Sequence, residues 1–118
     1  MKPLIHPAAA DVTVEGILHA LSDPVRVELF ARLACVEAPQ TCSGVMGECG
    51  ANVPKSTLSQ HFKVLRDAGL IRSERRGVEM LNTSRMEEVE RRFPGLLPAI
   101  LAAHKAQTRG AAARARRR

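Results

Sequence analysis

Three cysteines, Cys35, Cys42 and Cys49, recur at intervals of seven residues, and four histidines, His6, His19, His61 and His104, are scattered along the chain. If the cysteines converge between the second and third helical segments, three thiolates can hold a soft metal or As(III). A regulatory disulfide is a second use, because thiolates near positive charge are reactive. The plain alternative is that each packs as a small hydrophobe without any ligand. The count is odd and no CxxC pair occurs, which argues against a disulfide framework and for a reducing, cytoplasmic setting. There is no Gly-rich phosphate loop, no paired metal-binding His motif and no nucleophile–base pair. The chain is therefore not read as an enzyme, and no cofactor is expected.

A second chemistry lies in residues 55–76. There Lys55, Lys63, Arg66, Arg72, Arg75 and Arg76 face only Asp67 and Glu74 as opposing charges. Within residues 55–68, Leu58, Phe62 and Leu65 form an apolar helical stripe. The other side carries Lys55, Ser56, Ser59, Gln60 and Lys63. Short hydroxyls and an amide near a helix N-terminus suit base edges in a major groove, and Gln pairs bidentately with adenine. Thr57 joins them as a candidate. Lys63 and Arg66 lie where a helix leaving the groove meets phosphate, which fixes register and adds affinity. His61 is suited to the DNA backbone or to an interhelical hydrogen bond. Any one polar helix face is most often mere solvent exposure. The joint pattern of turn, polar face, apolar stripe, Gly69 stop and basic hairpin points to duplex DNA.

The elements that must position this segment follow from periodicity. Residues 1–11 read as an irregular arm. Val14, Ile17, Leu18 and Leu21 have helical spacing. Asp23 is placed to cap the next helix, with Pro24 at its first position, and Val25, Leu29, Leu33 and Val36 repeat on its face beside Phe30. A short helix is expected over residues 41–48, weakened by Gly44 and Gly47, then a turn at residues 50–54. After the residue 55–68 helix, strands at 70–74 and 78–82 flank Arg75-Arg76-Gly77 as a hairpin, whose Arg72, Arg75 and Arg76 are placed to reach the DNA backbone or minor groove. Ser84-Arg85-Met86-Glu87 has capping-box spacing ahead of Met86, Val89 and Phe93. Pro94-Gly95 interrupts, and Leu96, Leu97, Ile100, Leu101 and His104 share a final helical face. The expected fold is mainly α with a small β-hairpin, in the order α-α-α-α-β-β-α.

The 118 residues suit one domain, spanning residues 12–108. Three phenylalanines are the only aromatics, so the core is aliphatic, which favours helices. The net charge is +6, and five arginines (Arg109, Arg114, Arg116, Arg117 and Arg118) fall in the last ten residues. Residues 109–118 are expected to be a disordered tail, since Ala and Arg bury little apolar area to offset ordering entropy. The N-terminal residues lack the apolar core of a secretory signal, and no apolar run reaches membrane-spanning length.

Leu21-Ser22-Asp23-Pro24-Val25-Arg26, followed by Ser59-Gln60-His61-Phe62-Lys63-Val64-Leu65-Arg66-Asp67-Ala68-Gly69-Leu70-Ile71, resembles the ArsR/SmtB family of winged helix-turn-helix repressors over roughly residues 12–101. The resemblance implies a DNA-binding homodimer whose first and last helices form the interface. Val14, Ile17, Leu18, Leu96, Leu97, Ile100 and Leu101 are the candidates for that surface, with core packing as their ordinary alternative. It also implies a comparison with the family's metal sites. At the stretch Gln40-Thr41-Cys42-Ser43-Gly44-Val45-Met46 only Cys42 matches the paired thiolates, with Gly44 in place of the second, and on the last helix His104 has no acidic neighbour. Neither standard site is complete. The expected partner is an operator that is an imperfect inverted repeat. The competing reading is a winged helix that binds protein or RNA, and steep salt dependence of duplex binding separates the two.

Overall fold

The computed structural model describes residues 4–36, 38–46 and 53–117, with only the backbone of Ser43 and Met46. Helices α1 (Val14–Ala20), α2 (Pro24–Ala34), α3 (Cys42–Met46) and α4 (Lys55–Asp67) precede strands β2 (Ile71–Arg76) and β3 (Glu79–Ser84), then helices α5 (Met86–Arg92) and α6 (Leu96–Arg116). A short strand, β1 (Gln40–Thr41), runs directly into α3 and pairs antiparallel with β3, so the sheet order is β1-β3-β2. The expected hairpin is present, and β1 adds a third strand to it. The fold is a winged helix-turn-helix.

Local chemistry explains the helix boundaries. Asp23 Oδ1 accepts hydrogen bonds from the Val25 and Arg26 amides at 2.8 and 3.2 Å, with Pro24 at the first helical position. That is the arrangement expected of an Asp-Pro helix start. Thr13 caps α1 in the same way, its hydroxyl accepting from Gly16 N at 3.0 Å. At the end of α4 the Leu70 amide donates to Leu65 O and the Gly69 amide to Arg66 O, both at 3.0 Å. These paired bonds are a Schellman stop. Gly69 has φ +83°, and a Cβ there would lie 2.4 Å from Val12 Cγ2, so both the backbone and the packing require glycine.

The core gathers Ile17, Ala20, Leu29, Phe30, Leu33, Phe62, Leu65, Leu70, Ile71 and Leu97, with Val89 and Val27 at its margin. Each large side chain among them contributes about 1.5–3 kcal/mol by leaving water. Leu58, Phe62 and Leu65 of α4 are buried, as their spacing predicts.

Four expectations are corrected. Ser84 ends β3 instead of capping α5; Arg85 takes the N-cap position without a side-chain cap bond. Residues 109–116 are not a loose tail, because α6 continues to Arg116. Ala and Arg are strong helix formers, and they extend a helix already anchored by buried Leu97. Ile17 and Leu97 are each 0 % exposed within a single chain, so they have no surface left for a partner. Val36 lies beyond the end of α2 and is exposed.

Candidate nucleic-acid interface

The first two turns of α4 present their polar residues outward. Lys55, Ser56, Thr57, Ser59, Gln60 and Lys63 are all exposed, while the opposite stripe is sunk in the core. The sidedness follows from residues 58, 62 and 65 sharing one helical face. Pro54 precedes the helix and supplies no side-chain cap, so the amides of the first turn keep the partial positive charge that favours a phosphate. Lys63 forms an exposed ion pair with Asp67 at 2.7 Å. Such a surface pair is weak and leaves Lys63 free to exchange partners.

Two members of the expected set are turned toward the protein. His61 is half-buried, with Nδ1 3.3 Å from Arg26 Nη1. Arg26 also donates from Nε to Ala20 O at 2.7 Å and from Nη2 to His19 O at 3.3 Å. It thereby places a cation at the C-terminal end of α1, where the helix dipole favours it, and ties α1, α2 and α4 together. His61 is thus committed to the interhelical bond. Arg66 is half-buried and donates from Nε to Ser73 Oγ at 3.0 Å, so it joins α4 to the wing rather than standing free for phosphate. Burial lowers its pKa, with Arg75 adding a smaller push in the same direction.

The wing arginines divide by strand alternation. Arg75 lies on the same face of β2 as buried Ile71 and Ser73, the face that meets α4, but near the exposed tip. Arg72 and Arg76 point to the other face. Arg72 pairs with Glu88 of α5 at 3.4 Å and Arg76 with Glu74 at 3.5 Å. Among the described residues Arg75 has no ion pair, so its charge is the one most available beside α4. The strands turn through Gly77 (φ +63°) and fully exposed Val78. A glycine at the first of two loop residues matches hairpin twist.

Sequence reasoning missed the groups that fix the root of the wing. Asn82 and Ser73 face each other across β3 and β2, both buried, with Ser73 Oγ donating to Asn82 Oδ1 at 2.7 Å. On the outer edge of β2 the Ser73 amide donates to His6 Nε2 at 2.9 Å. Burial, aided by Arg72, Arg66 and Arg85, lowers the His6 pKa below its usual 6.5. The accepting nitrogen must be unprotonated, which agrees with that direction. Arg85, 4 % exposed, donates to Pro7 O at 2.8 Å and makes two bonds to Glu88 Oε2 at 3.0 and 2.8 Å. Hydrogen bonding from Arg85 in turn depresses the Glu88 pKa. Arg92 of α5 holds the arm further along through Ala9 O and Val12 O. A lone His in an aperiodic arm gives no pattern signal, and an Arg following a strand resembles surface charge until its burial is known.

The two described cysteines have different surroundings. Cys42, half-buried at the start of α3, has Sγ 3.6 Å from Asn82 Nδ2. Cys35 is exposed and borders a groove of about 790 Å³ between α2, α3 and α6, together with Glu28, Arg32, Leu101 and His104. Cys49 lies outside the described residues. Among the described residues no three His, Cys, Asp or Glu side chains are grouped to hold a metal. Of the candidate interface residues, Leu18 is 51 % exposed, Val14 is half-buried, and Leu96, Ile100 and Leu101 are half-buried against the core. Among the described residues no helix is long and apolar enough to cross a membrane.

Comparison with known proteins agrees with this geometry. A helix-turn-helix domain family matches residues 21–74. An uncharacterized HTH-type transcriptional regulator, YceK of Bacillus subtilis, is 31 % identical over 84 residues, covering 71 % of this chain and 82 % of that protein. Among solved structures, the transcriptional repressor BigR from Xylella fastidiosa superposes with a TM-score of 0.57 at 25 % identity, covering 76 % of this chain and 84 % of that one. NolR from Sinorhizobium fredii superposes with a TM-score of 0.56 at 24 % identity, covering 81 % and 93 %. An ArsR-like transcriptional regulator from Rhodococcus sp. RHA1 gives 0.54 at 20 % identity, covering 87 % and 89 %. The chain belongs to the ArsR family of DNA-binding winged helix-turn-helix transcriptional regulators.

Proposed function

We propose that the protein is a cytoplasmic homodimeric repressor that reads an imperfect inverted repeat and blocks a promoter by occupying it. The observation that carries the reading is the exposed polar face of α4, Lys55 to Lys63, lying opposite its buried stripe and beside the Arg75 face of the wing. Ser59 and Gln60 read base edges, Lys55, Ser56, Thr57 and Lys63 meet the adjoining backbone, and Arg75 contacts phosphate from the wing, with Arg72 and Arg76 further out. A second copy is supported by Leu18, a large apolar side chain left in solvent on α1, with Val14 beside it and the half-buried Leu96, Ile100 and Leu101 on α6. Two α4 helices about 34–36 Å apart then enter successive major grooves.

The test is selection of duplexes from a random pool, followed by sizing of the complex. Enrichment of a two-fold related sequence, bound by two chains with affinity falling steeply as salt rises, is the expected result. A pool that yields no enriched duplex, or binding by a single chain to one half-site without loss of affinity, overturns the proposal.

A further inference from the structure

Asn82 is a fully buried polar side chain in a small protein, with no exposed surface. Burying an amide is costly unless its hydrogen bonds are met, and here they are met by separate elements. Arg66 of α4 donates from Nε to Ser73 Oγ at 3.0 Å. Since that oxygen accepts from the guanidinium, the Ser73 hydroxyl proton is directed to Asn82 Oδ1 at 2.7 Å. The amide orientation this requires leaves Nδ2 as donor, and Nδ2 is surrounded by acceptors. They are Gln40 O of β1 at 3.2 Å, Met80 O at 3.4 Å and Cys42 Sγ at 3.6 Å. The result is a one-directional chain running from α4 through β2 and β3 to β1 and the start of α3. Residues 74–81 project beyond this point as a two-stranded ribbon, and such ribbons twist readily unless their root is held.

We infer that Asn82 is a positioning residue for DNA binding: through Ser73 and Arg66 it sets the angle between the wing and α4, so that Arg75 reaches phosphate while α4 lies in the groove. The inference rests on the reading that α4 and the wing bind the duplex together. Asn82 and Ser73 are buried and touch no DNA themselves. An apolar pair at these positions would fill the same space without fixing direction, whereas linked hydrogen bonds permit one arrangement.

The experiment is a mutant cycle on the full-length protein, using anisotropy titrations of a selected duplex at several salt concentrations. Circular dichroism and Tm are recorded for each variant. Arg75→Ala is expected to weaken binding about fivefold and to lower the slope of log K against log salt by about 0.9, one phosphate contact. Ser73→Ala and Asn82→Ala are expected to do the same although neither residue is charged. Each combined with Arg75→Ala is expected to be no more than about twofold weaker than Arg75→Ala alone, because they act on one contact. A merely structural role lowers Tm and affinity but leaves the slope unchanged and adds to Arg75→Ala, and that outcome in both variants that retain native dichroism overturns the inference. If one variant does not fold, the other decides; if neither folds, the residues are structural and the inference falls. If Arg75→Ala itself changes neither affinity nor slope, it is the wing contact that fails, and the positioning role falls with it.

Discussion

Replacing Gln60 with Ala isolates base readout from folding. Gln60 is exposed on α4 and, among the described residues, makes no hydrogen bond or ion pair within the protein. Alanine is the better helix former, so the stability change stays within about 0.5 kcal/mol. The polar atoms lost are those that would pair bidentately with an adenine, a contact that contributes roughly 1–3 kcal/mol of discrimination. The variant is expected to bind its selected duplex about 5- to 150-fold more weakly while keeping its affinity for random duplex and its salt slope. Competition titrations at fixed salt, with selected and scrambled duplexes side by side, measure both quantities. An equal loss on both duplexes, or no loss on either, refutes the placement of this helix face against base edges.

Other expectations concern what holds the site in place. Asp23→Ala removes the acceptor of two amides at the start of α2 and should cost about 1 kcal/mol in denaturant unfolding; no change would show that the cap is dispensable. Gly69→Ala meets both a left-handed backbone and Val12 at 2.4 Å, and a loss of roughly 2–4 kcal/mol is expected, read as a large drop in Tm against an unchanged one. The His6 pKa is lowered in the folded protein. The unfolded chain therefore takes up the proton first on acidification. The contribution of arm docking should be complete above pH 6.5 and lost as the pH falls through the lower folded value. NMR titration of His6 and protease sensitivity of the arm check this, and a His6 that titrates at or above 6.5 would contradict it.

Much of the recognition helix was legible because its signals are local. Leu58, Phe62 and Leu65 recur at helical spacing, Asp23-Pro24 marks a helix start and Gly69 a helix stop, and each has a backbone reason that survives in the fold. The wing was legible from Gly77 between two short runs, although its strands extend two residues further toward the turn than their composition indicates for Arg75 and Arg76. What was not legible depends on contacts far apart in sequence. His6 meets Ser73, Arg85 meets Pro7, and Asn82 meets Gln40, and no window of neighbouring residues contains those pairs. The same limit applies to Arg66 and His61. Their side of α4 was known, but whether an intermediate position on the helix faces solvent or another element depends on the neighbouring wing and α2. Ile17 and Leu97 were placed among interface candidates because periodicity identifies a buried face without saying which surface buries it.

The most direct measurement of the central claim is dimethyl sulfate protection of guanine N7, an atom reached only from the major groove, on a selected duplex bound by the native protein and by a Ser59→Ala, Gln60→Ala variant. The account predicts two protected patches about 10–10.5 base pairs apart, centre to centre, both weakened in the variant. Unprotected N7 atoms throughout the bound duplex, or protection identical in the two proteins, would contradict it.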